Sequence, residues 1–193
     1  PYIVKSLEAL RDGSEIPIVF PTKCPSCSTI LIRQEGEAAW RCVNEACPQQ
    51  VLERIVWHVS KGAMDIDGMG RRYVEQFHQL GWLHSLVDVY RLPYDEIARL
   101  EGFGQKSVEN LRRSIEQAKN NPLWRLLHGL SVHHLGKRSS RLLAQQVSHV
   151  LDLAEWTEED FTNLKDIGPT VARNVAEYFA NPLHLEQLRE MEA

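Results

Sequence analysis

No stretch of the 193 residues approaches the roughly 18 consecutive apolar side chains of a membrane span. With 43% apolar and 25% charged residues, the chain is expected to be an ordinary globular protein of one domain or two small ones, with no membrane partner. A secretory leader is missing as well. The opening P-Y-I-V-K-S-L-E places Glu8 where an apolar leader core would continue, and no small-residue cleavage site follows, so a cytoplasmic location is expected. Two further absences are local. Cysteine occurs nowhere outside residues 24–47, and Asp and Glu are missing from Gln117 to Leu151, a stretch that holds Lys119, Arg125, Lys137, Arg138 and Arg141. The net charge of -4 therefore conceals an uneven distribution. Residues 152–193 carry ten acids and three bases, which leaves 19 bases against 16 acids in the preceding 151 residues. A polyanion responds to local charge rather than to the total; a solvated helix face is the plainer reading of the same stretch.

The four cysteines stand as C-P-S-C (24–27) and C-V-N-E-A-C (42–47). Thiolates suit a tetrahedral zinc ion, and gaps of two to four residues let each knuckle offer two sulfurs to one metal. Cys24, Cys27, Cys42 and Cys47 are accordingly expected to hold one zinc ion per chain. A segment this short cannot bury enough apolar surface to fold unaided, and metal binding supplies the deficit. Two disulfides are the rival arrangement, but they require an oxidising compartment of which there is no sign. Four sulfurs close the coordination shell, so the ion is structural rather than catalytic. Between the knuckles, I-L-I-R-Q-E-G-E-A-A-W-R alternates around E-G-E like a hairpin, giving a small β ribbon. Upstream, P-Y-I-V-K and I-P-I-V-F-P flank a turn at R-D-G-S and read as two strands of a larger sheet.

Past Cys47 the pattern turns helical, with Val51, Ile55, Val56 and Val59 on one stripe. Asn121-Pro122 and Asn181-Pro182 each read as an N-cap followed by proline at the first helical position, and Thr157 with Asp160 as a capping box. Between helices a motif returns four times: I-D-G-M-G-R-R (66–72), L-E-G-F-G-Q-K (100–106), V-H-H-L-G-K-R (132–138) and L-K-D-I-G-P-T (164–170). The final glycines, Gly70, Gly104, Gly136 and Gly168, are spaced by 34, 32 and 32 residues. The second copy contains G-Q-K-S, but Gln105 separates Gly104 from Lys106, no glycine stands at the required distance, and the preceding segment is helical, which excludes a phosphate-binding P-loop. The unit is helix, hairpin, helix. Glycine permits positive φ and close approach, and the residue before the last glycine (Met69, Phe103, Leu135, Ile167) is expected to plug the gap between helices. Beyond the last glycine the next helix offers unpaired amides and a favourable dipole to an anion. Candidate phosphate contacts are Gly68, Gly70, Arg71, Arg72, Gly102, Gly104, Lys106, Ser107, Gly136, Lys137, Arg138, Gly168 and Thr170. Gly104 in particular is expected at positive φ. The fourth hairpin, with Asp166 before its glycine and no base after it, suits packing more than binding. The eight histidines show no metal-ligand spacing and are expected at the surface, and the Asp65, Asp67 pair is too short for a calcium loop, leaving Asp65 as a turn residue.

The cysteine knuckles together with E-G-E-A-A-W-R-C-V-N-E-A-C-P-Q-Q, H-V-S-K-G-A-M-D-I-D-G-M-G and D-I-G-P-T-V-A-R-N-V-A-E-Y-F resemble the C-terminal half of a bacterial NAD-dependent DNA ligase, over nearly the whole chain. The resemblance implies a mainly α fold: a tandem helix-hairpin-helix domain (50–193, four hairpins), preceded by a four-cysteine zinc finger (23–49) and the terminal strands of an OB-fold (1–22). It implies the part of the enzyme that grips nicked double-stranded DNA by its backbone, without sequence preference, for sealing in replication and repair. The adenylation domain of the same polypeptide would be its partner, the molecule a monomer, and NAD and Mg would serve only the full-length enzyme. The third hairpin departs from the family, which more often has arginine at His133 and glycine at Ser131. The family's adenylylated lysine lies in K-x-D-G, and the nearest match here, L-R-D-G (10–13), has Leu10 in its place. No catalytic residue is therefore assigned. A helix-hairpin-helix accessory protein of junction or excision repair, and a zinc-stabilised protein-interaction adaptor, are the competing readings.

Overall fold

The stripe of Val51, Ile55, Val56 and Val59 lies on a helix whose Ile55 and Val59 are buried in the core. The structure is a computed structural model that describes residues 5, 7–33, 36 and 38–192. Among the described residues it contains nine α-helices: α1 (Pro48–Val59), α2 (Arg71–Gln79), α3 (Tyr94–Ile97), α4 (Gln105–Ala118), α5 (Leu123–Gly129), α6 (Lys137–Ala144), α7 (Glu158–Thr162), α8 (Pro169–Ala180) and α9 (Pro182–Glu192). The fold is mainly α, as expected, and the chain divides into two compact units, Pro1–Cys47 and Pro48–Ala193.

Among its described residues the first unit has little regular structure. Antiparallel bridges join Lys23 to Ile30 and Ile32 to Arg41, so the expected ribbon is reduced to isolated pairings; Glu35 and Glu37 of its E-G-E turn lie outside the described residues. The strands expected over residues 1–22 are not formed among the described residues there. Glu8–Leu10 makes a single 3-10 turn, and Ile16 and Val19 are 88% and 87% exposed. Among the described residues no neighbouring strand satisfies that backbone, and two strands alone are marginal in water. The P-Y-I-V start lies outside the described residues.

In the second unit the hairpins work in pairs. Phe103, the plug of the second, rests on Tyr73 and Phe77 of α2 at ring-centroid distances of 4.5 and 5.7 Å, and Asp67 N of the first donates to Ser114 Oγ of α4 at 2.7 Å. In the second pair, Asn174 Nδ2 of α8 donates to His133 O at 2.8 Å. All four plugs, Met69, Phe103, Leu135 and Ile167, are buried, each worth about 1.5–3 kcal/mol of apolar burial.

The two pairs meet where α1 packs on α5. Trp57 Nε1 donates to His128 O at 2.8 Å, Asn121 Nδ2 donates to Met64 O at 2.7 Å, and Arg125 Nη1 donates to the carbonyls of Ala63 and Lys61. His58 is fully buried at the centre of this contact, contrary to the expectation that the histidines are surface groups. Its Nδ1 lies 3.1 Å from Gly129 O and its Nε2 2.8 Å from Tyr90 Oη. A carbonyl only accepts, so Nδ1 carries the proton and Nε2 accepts from the tyrosine hydroxyl. Gly129 is what makes room. A Cβ there would sit 3.0 Å from His58 Nδ1 and 3.4 Å from Ala63 Cβ. Gly129→Ala is accordingly expected to cost about 1–3 kcal/mol, read as a lowered midpoint in chemical denaturation; an unchanged midpoint would show that α1 and α5 can separate freely.

Caps follow the sequence at two sites and not at a third. Thr157 and Asp160 close α7 with a capping box, and Asn181 Oδ1 accepts from Leu183 N at 3.0 Å. Asn121 does not cap α5, because its amide is spent on Met64 O and Pro122 occupies the N-cap position.

Candidate metal centre and nucleic-acid interface

The two cysteine knuckles are built by local turns. Cys24 O accepts from Ser28 N and Cys24 N donates to Thr29 O, both at 2.8 Å, with Ser28 at positive φ; Cys47 N donates to Asn44 O, and Asn44 Oδ1 accepts from Ala46 N. These turns aim all four sulfurs at one point. The Sγ atoms lie within 4.8 Å of one another, with Cys24 and Cys47 at 3.8 Å and Cys27 and Cys42 at 3.5 Å. Zinc bound at about 2.3 Å in a tetrahedron needs sulfurs about 3.8 Å apart, so the cage fits one ion. All four cysteines are free of disulfides. Thr29 Oγ1 stands 3.3 Å from Cys27 Sγ, placed to support a bound thiolate from outside the coordination shell. This is a structural zinc site.

The hairpins share one backbone path. Two residues before the final glycine the chain is left-handed in every copy: Gly68 at φ 88°, Gly102 at 87°, His134 at 63° and Asp166 at 73°. The final glycines are extended instead, with φ of -63°, -95°, -76° and -80° at Gly70, Gly104, Gly136 and Gly168. The expectation of positive φ at Gly104 is thereby corrected. The left-handed turn falls on the earlier position of the motif, where His and Asp tolerate it in the third and fourth copies. The final glycines answer a different need. Each is the N-cap of the following helix with no side-chain cap, and a Cβ added there meets nothing within 4 Å. Internal packing does not demand glycine at these four positions. The helix amides that follow have no intrahelical partner, and Pro169 removes one of them from the fourth hairpin.

The candidate cations fare unequally. Arg71 is neutralised by Glu53, at 2.6 and 2.8 Å, and by Glu75 at 3.4 Å, and it holds the Glu53 carboxyl below the usual glutamate range. Arg138 reaches Asp166 at 2.8 Å, so the acid of the fourth hairpin cancels a base of the third. Arg72 is exposed, 6.0 Å from the Tyr73 ring centroid. Lys106 and Ser107 are exposed on the first turn of α4, and Thr170 on that of α8. Lys137 stands over the ring of Trp124, together with Arg125 and Arg141. The motif reading missed Arg141 and Trp124. Lys137 and Arg141 are four residues apart on α6, a visible spacing, but the indole beneath them arrives from α5 and only tertiary structure supplies it. His133 and His134 have ring centroids 3.8 Å apart, the second residue standing in the left-handed turn.

Comparison with known proteins agrees with this construction. Residues 23–48 match the NAD-dependent DNA ligase C4 zinc finger domain and residues 125–188 the helix-hairpin-helix motif; the second match takes in the third and fourth hairpins. The chain is 49% identical over 191 residues to a DNA ligase of Persephonella marina, covering 99% of this chain and 27% of that protein. It is 42% identical to a DNA ligase of Sulfurihydrogenibium azorense over the same shares, and 42% identical to one of Natranaerobius thermophilus over 93% of this chain and 27% of that protein. With a ligase type of zinc finger and a hairpin array, the chain is similar to DNA ligases along nearly its whole length, and it spans about 27% of the length of the curated relatives it matches.

Proposed function

We propose that this chain is the part of an NAD-dependent DNA ligase that grips duplex DNA by its sugar-phosphate backbone around a nick, in sealing for replication and repair. The observation that carries the reading is the set of four uncapped helix starts behind glycines whose Cβ positions open onto free space. Amides presented this way recognise phosphate geometry, not base identity. The contacts run through Gly68, Gly70, Arg72, Gly102, Gly104, Lys106, Ser107, Gly136 and Lys137, with Arg71, Arg138, Gly168 and Thr170 contributing less for the reasons of charge pairing and Pro169 given above. The zinc finger, the helical array and an OB-fold act with the adenylation domain of the same polypeptide, as a cytoplasmic monomer; NAD and Mg serve that domain, and this segment supplies no reacting group of its own.

Titration of a fluorescent nicked duplex tests the reading. If about eight phosphates are engaged, affinity falls roughly 10³- to 10⁵-fold between 50 and 200 mM salt and is indifferent to sequence. Absence of binding at low salt would favour the interaction-adaptor reading. Two glycines separate grip from fold. Gly104→Val is expected to weaken duplex binding about ten- to hundredfold by holding a phosphate off the amides, with little loss of stability. Gly102→Val forces a β-branched residue into a left-handed turn and is expected to cost at least about 1–2 kcal/mol of stability. Equal effects of the two substitutions on binding and melting would contradict this division of roles.

A further inference from the structure

Trp124, in the first turn of α5, carries three cations: the Arg125 guanidinium carbon 5.0 Å, Lys137 Nζ 5.1 Å and the Arg141 guanidinium carbon 4.6 Å from its ring centroid. Arg125 is committed inward, to the carbonyls of Lys61 and Ala63 and, at 3.8 Å, to Asp65. Lys137 and Arg141 are exposed, one helical turn apart, and have no carboxylate partner among the described residues; the acid-free stretch from Gln117 to Leu151 keeps any local one away. Beside them a groove of about 350 Å³ is lined by Pro122, Leu123, Trp124, Arg141, Ala144 and Gln145.

The contrast with the first hairpin shows what the indole does. Glu53 and Glu75 orient Arg71 but cancel its charge. An aromatic face also fixes a cation, through its quadrupole, and leaves the charge and the outward N–H edges intact. A guanidinium so held is ready for a phosphate. Its place, one turn along α6 from the Gly136 amides, puts it beside the path of any strand docked on that hairpin.

We propose that Trp124, Lys137 and Arg141 form a second phosphate site on the third hairpin, taking a backbone link of the same duplex that the Gly136 amides hold. The inference rests on the duplex-binding function proposed above. It is tested on the whole chain with a fluorescent nicked duplex titrated over a range of salt, the melting temperature being followed in parallel. Arg141→Gln, at an exposed position, is expected to reduce affinity about tenfold and to lower the log-log salt slope by about 0.9. Arg173→Gln, in the acidic part of the chain, leaves both unchanged. Trp124→Leu, which keeps apolar bulk, is expected to lose about three- to fivefold in affinity with the slope nearly retained, while Trp124→Phe stays within about twofold of the parent. A parent chain that binds with Arg141→Gln and Trp124→Leu indistinguishable from it overturns the site and leaves the proposed function standing. Equal losses in Trp124→Phe and Trp124→Leu would assign the effect to packing and overturn the indole's role. A parent chain that binds no duplex overturns the function and this inference with it.

Discussion

Removing zinc is expected to unfold residues 23–47 while leaving the helical signal of residues 48–193 in place. Among the described residues the first unit's core consists of Leu31 and the cysteines themselves, with Cys24 and Cys47 buried and Cys27 and Cys42 packed against them. Two antiparallel bridges and a few turn hydrogen bonds cannot offset the roughly 1–2 kcal/mol of backbone entropy per ordered residue. The ion can, since structural zinc contributes on the order of 10–16 kcal/mol at neutral pH. The second unit has its own continuous apolar core from Ile55 to Leu188 and needs no metal. Chelation, or Cys47→Ser, should therefore open sites of protease cleavage between the knuckles, release about one zinc per chain, and scarcely change the far-ultraviolet dichroism. A metal-free chain as protease-resistant as the parent would remove the ion's structural role; disulfides recovered from the native protein would do the same.

The second large effect is acid sensitivity centred on His58. Burial, opposed by the hydrogen bond to Gly129, pushes its pKa down to about 4, against about 6.5 in the unfolded chain. Above pH 6.5 both states are neutral and the stability contribution is complete. As the pH falls from 6.5 toward 4, the unfolded chain takes up a proton that the fold refuses, so stability falls by about 1.4 kcal/mol per pH unit, or about 3 kcal/mol in all. Below pH 4 the folded form protonates too and this loss levels off, while carboxylates with lowered pKa values, Glu53 and Asp160 among them, add their own losses. His58→Gln should be less stable than the parent at pH 7 but flatter with pH, the two curves converging near pH 4–5. Parallel curves for the helical signal would mean that another group governs the acid transition.

Much of this molecule is legible in its sequence because the information is local. C-P-S-C and C-V-N-E-A-C announce a metal cage through ligand type and spacing, and the cage forms. The repeat announces four hairpins, and their plugs are buried. Thr157 with Asp160 announces a cap, and it closes α7. What stays hidden depends on residues far apart in the chain. His58 reads as one more polar residue on an amphipathic helix until Gly129, 71 positions on, makes a hole for it. Arg71 counts as a phosphate base until α1 brings Glu53 beside it. The left-handed position is misplaced at Gly104 because the last glycine is the residue all four copies share, whereas the strained one is glycine in two copies and His134 or Asp166 in the others. An extended glycine facing open space has no local signature that separates it from a turn glycine. The strand expected at I-P-I-V-F-P is not formed among the described residues for a related reason, since alternation describes one edge and says nothing of whether a neighbour is present to pair with it.

The donors offered at the four hairpins belong to the main chain, and this sets how the surface degrades. Exchanging an exposed side chain beside them leaves these amides in place, so variation there removes only the contact of the side chain exchanged. Damage comes from the opposite direction, from atoms gained: a methyl group on Gly70 or Gly136, or a ring closed onto an amide nitrogen. The amide part of the surface is robust to loss and brittle to addition, the reverse of the cations of Lys137 and Arg141 beside it.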